Sequence, residues 1–373
     1  MYSRDADSAL TYALPNASRQ YTCPKQAHKY KINTGGIYPL KIVINQIMTV
    51  SAPPHMYGKD SIETRMRDVL IALLPAFIMA VHRYGLPAFY TTAIAVISAM
   101  LAEYLFQRVM GKPVTINDFS AAITGVLLAF NLPPNVPFWL PVAGSFFAII
   151  VVKQLFGGLG SNFINPALAA RAFLLASFPM HMTNWTLPAT DAVSGATSQV
   201  DSVTSATYLA LIKADPSFTP ELSDYAVLLF GKIGGCIGEV SALALIIGGL
   251  YLLIRRVINW RIPVFYIGSF VVFALIFGRT GFLSVHILFE VLSGGLLLGA
   301  LFMATDYATS PISPNGKIIM GIGCGFLTVI IRFFGGYPEG VSYAIIIMNL
   351  FVPLIDKYIR PRVYGRKARI RRM

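Results

Sequence analysis

The stretch AFYTTAIAVISAMLAEYLF at residues 88–106 decides the fold class, because its only charged residue is Glu103. A transmembrane α-helix needs about 20 predominantly apolar residues, so this stretch is long enough to cross a bilayer. Nine further apolar segments are found at residues 69–81, 119–130, 138–156, 164–178, 240–254, 262–277, 288–303, 318–331 and 341–355. The sequence therefore predicts an all-α polytopic membrane protein with about ten transmembrane helices.

Composition supports this fold class and excludes others. The chain of 373 residues is 55% apolar and 13% charged, whereas soluble domains are about 45–50% apolar and about 25% charged. Its net charge of +13 does not indicate a nucleic-acid partner, because the basic residues cluster at the chain ends and in alternate loops. Cys23, Cys236 and Cys324 are scattered, as are the five histidines, so we expect no disulfide framework and no metal site.

The distribution of charge also predicts the topology. An even number of spans places both termini on one side, and seven arginines and lysines follow position 359. The positive-inside rule then places both termini in the cytoplasm. The predicted regions are a cytoplasmic arm (1–67), a first membrane repeat (68–180), an outer loop (181–237), a second repeat (238–356) and a basic cytoplasmic tail (357–373). The arm is equally well interpreted as a partly disordered tail.

The two predicted membrane regions repeat one another. GVLLA at residues 125–129 has a counterpart in GALFM at 299–303, and KQLFGG at 153–158 has one in IRFFGG at 331–336. Since each half has five spans, the second half must be inverted, as in transporters that bind ligands at a repeat interface through broken helices. NLPP at residues 131–134 and the stretch 306–314 predict such breaks.

A polar stretch, DAVSGATS, lies at residues 191–198 of the outer loop. The small residues Gly195 and Ala196 leave the hydroxyl of Thr197 accessible to another molecule. By themselves these residues are also typical of a flexible loop. A weaker echo follows at residues 201–207, with Ser205 where the pattern requires glycine, so we interpret Thr207 as an ordinary loop residue.

The polar stretch resembles the site at which flavin transferases attach FMN to membrane subunits of the NqrB/RnfD family, found in Rnf and sodium-pumping quinone reductase complexes. In that chemistry a threonine oxygen attacks the pyrophosphate of FAD, so that FMN stays on the protein as a phosphoester and AMP leaves. The resemblance implies covalent FMN on Thr197. The neighbouring site residues that it implies are Asp191, Ser194, Gly195, Ala196 and Ser198.

Other stretches carry the same resemblance. GKIGGCIGEVS at residues 231–241 resembles a glycine-rich element of Rnf D subunits, with Cys236 where serine is expected. Glycines at a helix start leave amides free for an anion or a flavin edge, although helix packing or a re-entrant turn explains them equally. GGLGSNFINPALAARAF at 157–173 and SAPPH at 51–55 also match the family. The candidate flavin-binding residues of the glycine-rich element are Gly234, Gly235, Gly238 and Glu239.

Three polar residues in the membrane region are candidates for an ion path or a second flavin: Asp306, Arg171 and Asn165. Arg171 is about 10 Å deep in its span at 1.5 Å per residue, where a charge needs a partner or water. For Arg171 the alternative is a structural ion pair or snorkelling to the cytoplasmic face, and for Asp306 it is snorkelling and pairing with Lys317. Snorkelling also explains most of the other acidic residues near span ends, which are Glu103, Asp118 and Glu290. Carbonyls freed by Pro133, Pro134 and Pro311 are expected to join Asp306 around a wet cavity.

The resemblance implies a redox subunit that is inactive alone, in a complex that transfers electrons between ferredoxin and NAD while translocating Na⁺ or H⁺. Implied partners are the iron–sulfur, FMN-bearing and membrane subunits of an Rnf complex, a flavin transferase and the lipid bilayer of a bacterial or archaeal inner membrane. A second, non-covalent flavin is implied to be riboflavin. Two alternatives stay open. One is a channel or transporter for a small solute, and the other is the B subunit of a sodium-pumping NADH:quinone reductase.

Overall fold

The computed structural model describes residues 61–185, 209, 213, 222–231, 234–278, 287–336 and 340–359. Within these residues the chain is helical and contains no strand. The helices are α1 (Ile62–Tyr84), α2 (Leu86–Val109), α3 (Ser120–Phe130), α4 (Trp139–Phe146), α5 (Pro166–Ser177), α6 (Pro179–Met182), α7 (Leu222–Phe230), α8 (Ala242–Ile254), α9 (Arg261–Ile276), α10 (Ile287–Leu292), α11 (Leu296–Leu298), α12 (Pro314–Phe334) and α13 (Val341–Tyr358).

All ten apolar segments predicted from the sequence fall largely on helical residues. Three helices of the described chain are long and apolar enough to cross a membrane, namely α2, α12 and α13. Shorter apolar helices, among them α3, α5, α8 and α9, lie between them. The all-helical membrane fold is therefore confirmed at this level, while the count of ten spans stays a prediction.

The predicted helix breaks are present. Helix α3 ends at Phe130, and Asn131 is its C-terminal cap. Helical structure also ends at Met303 and resumes only at Pro314. A further interruption separates α10 from α11, where Gly294 and Gly295 both have a φ of 68°, a left-handed conformation that glycine adopts without steric cost.

Two helices continue as π-helix, in which backbone amides bond five residues back. Helix α4 runs on as π-helix over Phe147–Gln154, and α11 runs on over Gly299–Met303. The amide of Leu155 donates to the carbonyl of Ile150 at 3.0 Å, and that of Ala304 donates to Gly299 at 2.8 Å. The second π-helix coincides with the repeat element at residues 299–303, whose counterpart at 125–129 lies in the regular helix α3.

One apolar core joins the two predicted halves. Helices α1 and α8, which belong to different halves, pack so closely that a Cβ on Gly248 would lie 2.1 Å from the carbonyl oxygen of Ala72. Glycine is required there because any side chain would force the helices apart. The halves are thus packed against each other around a shared core.

Candidate functional site

The polar stretch with the predicted flavin attachment site lies outside the described residues. This holds for Asp191, Ser194, Gly195, Ala196, Thr197 and Ser198, and also for Thr207. The attachment site therefore stays a prediction from the sequence.

The described part of the chain contains a cavity of about 90 Å³, which we call the inner cavity. It is lined by elements of both halves, including the starts of α3 and α5, the segment after α8 and the break before α12. Apolar side chains such as Leu127 and Phe302 form part of its wall. Its polar lining includes Ser120, Thr124, Lys153, Asn162, Asn165 and Asp306.

The structure brings Asp306 and Asn165 together, since both line the inner cavity. The Asp306 carboxylate accepts a hydrogen bond of 3.2 Å from Thr309 Oγ1 and one of 3.5 Å from the amide of Ala308. Within the described residues Asp306 forms no ion pair with Lys317. Residues of the non-helical segment before α12 therefore hold its carboxylate at the cavity wall.

Asn165 fixes the break to helix α5. Its side chain caps α5 by accepting from the amides of Ala167 and Leu168, and it donates to the carbonyl of Met303 at 3.2 Å. With the Asn349 amide oriented to satisfy its neighbours, Asn349 accepts from the amide of Asn165 at 3.1 Å. A cap residue thus holds the broken segment against α5 and α13.

The residues at positions 131–134 do not line the inner cavity with Asp306. Ser120 and Thr124, toward the opposite end of α3, take that place. Asn131 instead donates to the Sδ of Met303 at 3.7 Å and accepts from Arg171. The break after α3 and the break before α12 are therefore neighbours. Of the two, only the break before α12 contributes described residues to the inner cavity.

Lys153 is the cation of the inner cavity, and sequence reasoning did not single it out. Its ammonium donates to Glu103 Oε1 at 2.8 Å and to Ser120 Oγ at 2.6 Å. Glu103 also accepts from Gln154 at 2.6 Å and from Gln107 at 3.4 Å. Lys153 and Glu103 are almost completely buried, so the interpretation of Glu103 as a snorkelling residue is wrong. The signal in the sequence was one acid and one lysine, each inside a long apolar segment.

The π-helix explains why Lys153 points inward. Lys153 and Gln154 are the last two residues of the π-helical segment. A π-helical turn contains about one residue more than an α-helical turn, which changes the direction of the side chains that follow. Such turns are frequent at functional sites. Both side chains consequently meet Glu103 on α2.

A second space, which we call the vestibule, adjoins the inner cavity. It measures about 560 Å³, and its lining includes Arg65 and Asp356. Tyr307 lines both spaces. Arg65 donates to the Tyr307 hydroxyl at 2.9 Å, and that hydroxyl donates to the carbonyl of Val257. Tyr307 is thus anchored at the boundary between the two spaces.

Arg171 lies in a different place from Asp306 and Asn165. Its guanidinium donates to Asn131 Oδ1 and Ser342 Oγ, both at 2.9 Å, and to Cys236 Sγ at 3.7 Å. The side chain is buried, with 7% of its surface exposed, so it does not snorkel. Arg171 therefore joins the break after α3, the glycine-rich turn and helix α13.

The glycine-rich turn packs against the broken end of α3. The amide of Ile237 donates to the carbonyl of Leu132 at 3.0 Å, and the amide of Gly235 donates to the hydroxyl of Tyr84 at 3.1 Å. A Cβ on Gly238 would lie 2.6 Å from the Cβ of Phe130. Two of the predicted flavin-binding residues of this turn thus have structural roles. The amide of Gly235 already donates to a protein acceptor, and Gly238 allows close packing.

Glu239 is also packed tightly. Its Oε1 lies 2.6 Å from the position that a Cβ on Gly295 would take, and Gly234 beside the turn is buried. Gly234, Gly235, Gly238 and Glu239 are therefore brought together, on a side of the protein that does not contribute to the inner cavity.

A second buried ion pair lies in the second half. Arg332 donates to Glu290 Oε2 at 3.0 Å and to the Glu290 carbonyl at 2.7 Å. Its guanidinium also stacks on the ring of Phe270 at 5.0 Å. Because Arg332 and Glu290 are buried almost completely, the interpretation of Glu290 as a snorkelling residue is wrong as well.

The described residues contain no group of three or more histidine, cysteine or acidic side chains arranged to hold a metal ion. The conspicuous features of this part of the chain are instead one cavity with a lysine and an aspartate in its wall and two buried ion pairs.

A family model described as the NQR2, RnfD, RnfE family matches residues 49–365 of this chain. Among curated proteins, the chain is 52% identical over 320 residues to the D subunit of the Na⁺-translocating ferredoxin:NAD⁺ oxidoreductase complex of Acetobacterium woodii. That alignment covers 85% of this chain and 95% of the relative.

Two further relatives show the same similarity. The D subunit of the proton-translocating ferredoxin:NAD⁺ oxidoreductase complex of Clostridium ljungdahlii is 40% identical, over 86% of this chain and 96% of the relative. The D subunit of the ion-translocating oxidoreductase complex of Stutzerimonas stutzeri is 39% identical, over 83% of this chain and 94% of the relative.

Proposed function

Because this chain belongs to the NQR2, RnfD, RnfE family, we propose that it is the D subunit of an ion-translocating electron-transport complex of the ferredoxin:NAD oxidoreductase type. The observation that carries the proposal is 52% identity to a protein of that name, in an alignment that covers 95% of that relative. The chain would act as a redox subunit within the complex and not as an enzyme by itself. Other subunits of the complex are its partners.

The covalent cofactor is FMN, attached through a phosphoester to Thr197. The support is the sequence pattern from Asp191 to Ser198 together with family membership. When bound, FMN supplies the electron chemistry, while the protein places the ring and sets its environment. A flavin transferase is the partner that maturation requires.

We propose that the inner cavity is the site of a hard cation. Its volume of about 90 Å³ has room for a cation with water but not for the three-ring system of a flavin, so a non-covalent flavin such as riboflavin is not assigned to this cavity. The carboxylate of Asp306 suits a cation such as Na⁺. Asp306 and Asn165 are the predicted site residues that this cavity contains.

In the proposed topology both termini lie in the cytoplasm and the loop at residues 181–237 lies outside, in the inner membrane of a bacterium or archaeon. Arg65, which lines the vestibule, and the two arginines that follow α8, Arg255 and Arg256, support this orientation, because positively charged residues remain on the cytoplasmic side. Two inverted five-helix repeats account for the shared core and for breaks in both halves.

Two alternative functions can be distinguished from the proposed one. A solute channel built on the same repeats has no use for a flavin attachment site, and the identity to complex subunits is against it. The B subunit of a sodium-pumping quinone reductase belongs to the same family, but the three relatives compared above are D subunits.

The test is purification of the protein from its membrane with its partners. We expect co-purification of an iron–sulfur protein that reduces NAD⁺ with ferredoxin, and flavin fluorescence on this chain after denaturation. Purification of the chain alone, colourless and without redox partners, would overturn the proposed function in favour of a channel.

A further inference from the structure

Two threonines of the inner cavity have only oxygen lone pairs to offer to a ligand. Thr124 Oγ1 donates to the carbonyl of Ser120 at 3.0 Å, and Thr305 Oγ1 donates to the carbonyl of Leu301 at 2.8 Å. A hydroxyl has one hydrogen and two lone pairs, so each side chain has already used its hydrogen on the backbone. Both threonines line the cavity as acceptors, which suits a cation and not an anion.

The side chains around the inner cavity leave one negative charge uncompensated. Lys153 and Asp306 are the charged side chains among the described residues of its lining. Lys153 is paired at 2.8 Å with Glu103, which lies behind it and does not line the cavity. Asp306 forms no ion pair within the described part of the chain. One monovalent cation therefore neutralises the cavity together with its ion pair.

Lys153 keeps its positive charge at the cavity wall. Its ammonium donates to Glu103 Oε1 and Ser120 Oγ. Gln154 donates to Glu103 at 2.6 Å, and the Ser120 hydroxyl donates to Asp118 Oδ1 at 2.6 Å. Because both acceptors are themselves restrained and the lysine is only 2% exposed, the ammonium cannot withdraw to solvent. Its third N–H is left for water inside the cavity.

The carboxylate and the ammonium differ in their access from outside. Asp306 lines both the vestibule and the inner cavity, whereas Lys153 lines only the inner cavity. A cation that enters from the vestibule therefore reaches the carboxylate without passing the ammonium. It then remains under the repulsion of a fixed positive charge that acts on every unit of its own charge.

We propose that the inner cavity takes one monovalent cation and that Lys153 excludes divalent cations from it. This inference rests on the proposed function of the inner cavity as a cation site. A monovalent cation beside Asp306 brings the cavity and its ion pair to neutrality, whereas a divalent cation leaves one net positive charge among largely apolar walls. Such a charge is costly to bury. Lys153 thereby determines the charge of the ion that is accepted, and no covalent bond forms or breaks.

The experiment is equilibrium binding of radioactive Na⁺ to the purified complex, with Ca²⁺ as the competitor. Ca²⁺ has nearly the same radius as Na⁺ and twice its charge, so the comparison separates charge from size. The Na⁺ that wild type binds and Asp306→Asn does not bind defines the site in the cavity. Mildly alkaline buffer prevents protons from competing for the carboxylate. In wild type, Ca²⁺ should be a poor competitor for this Na⁺.

Three variants test the charge balance. Lys153→Met leaves Glu103 and Asp306 uncompensated, so the preference for Ca²⁺ over Na⁺ should rise about tenfold or more, the scale of removing one nearby unit charge at an effective dielectric constant of about 20. Glu103→Gln brings the total charge to zero and should weaken Na⁺ binding by about the same factor. Lys153→Met combined with Glu103→Gln restores one negative charge and should bring both quantities back toward wild type.

The outcomes separate the role of Lys153 from the existence of the site. If Lys153→Met does not assemble, the double variant replaces it and should bind Na⁺ more tightly than Glu103→Gln. An unchanged preference between Na⁺ and Ca²⁺ in Lys153→Met, or equal Na⁺ affinities in Glu103→Gln and the double variant, would overturn the role of Lys153 alone. Wild type that binds no more Na⁺ than Asp306→Asn would overturn the cation site itself.

Discussion

Arg171 on α5 donates a hydrogen bond of 2.9 Å to Ser342 at the start of α13, and a reciprocal contact exists. Asn165, at the start of α5, meets Asn349, in the middle of α13. The first residues of each helix thus contact the middle of the other helix. Two equivalent helices related by a two-fold axis in the membrane plane have this arrangement, which supports the inverted repeat.

Arg171→Met should destabilise the interface between the halves, because it removes a charged donor and leaves Asn131 and Ser342 with fewer partners. Hydrogen bonds to charged groups contribute about 1.5–3 kcal/mol, so we expect a clearly lower unfolding temperature of the complex. Ser342→Ala is the matched control, with a loss of about 1 kcal/mol. A Ser342→Ala variant less stable than Arg171→Met would contradict this account.

Thr197→Ala should abolish flavin that survives denaturation, because the proposed phosphoester is formed by the hydroxyl of Thr197. The measurement is in-gel fluorescence and peptide mass spectrometry after co-expression with a flavin transferase. Thr207→Ala is the control and should retain the flavin. Fluorescence that persists in Thr197→Ala and disappears in Thr207→Ala would instead assign the attachment site to Thr207.

The topology predicts which side each loop faces. On a background without native cysteines, Ser198→Cys should react with a membrane-impermeant thiol reagent from outside, and Tyr364→Cys should not. Cys236 should be replaced by serine, since its Sγ donates to the carbonyl of Asn131 and a hydroxyl keeps that bond. The reverse labelling pattern would place Thr197 in the cytoplasm.

Asp306→Asn should impair the inner cavity while preserving its size. Loss of the charge weakens the interaction with a cation, and 1.4 kcal/mol corresponds to a tenfold change. We expect about tenfold slower coupled ion transport. The matched control is Asp356→Asn, since Asp356 lines only the vestibule. Equal effects of the two substitutions would remove the special role of Asp306.

The buried pair of Arg332 and Glu290 should behave as a unit. Arg332→Met removes the guanidinium that pairs with the buried Glu290 carboxylate, and breaking a buried ion pair costs about 3–5 kcal/mol in soluble proteins. Combining it with Glu290→Leu should recover much of the stability, because neither charge then remains buried. Thermal unfolding of both variants measures this, and a double variant no more stable than Arg332→Met would show that the pair is not coupled.

Much of the fold was predictable because apolar length and proline are local signals. Residues 131–134 and the stretch after Met303 end helices as expected, since proline cannot continue the hydrogen-bond ladder. The interruption at Gly294 and Gly295 was missed, because glycines are also common inside membrane helices and give no direction by themselves.

The site was less predictable because its contacts join distant parts of the chain. Asp306 and Asn165, two of the three membrane candidates, line one cavity, whereas Arg171 lies elsewhere, and the sequence did not predict this grouping. Lys153 and Glu103 are 50 positions apart, and their contact depends on the packing of α2 against α4. The spacing of residues within a single segment therefore cannot predict such a contact.

The π-helix over Phe147–Gln154 makes this protein more sensitive to the length of α4 than to its composition. A π-helix contains one residue more than an α-helix of the same length, so removing one residue from the middle of that segment would restore a regular α-helix and change the direction of the side chains within it. Lys153 would then be displaced from Glu103 although every side chain of the pair were intact. In the evolution of this helix, single-residue deletions should therefore be selected against even where apolar substitutions are freely accepted.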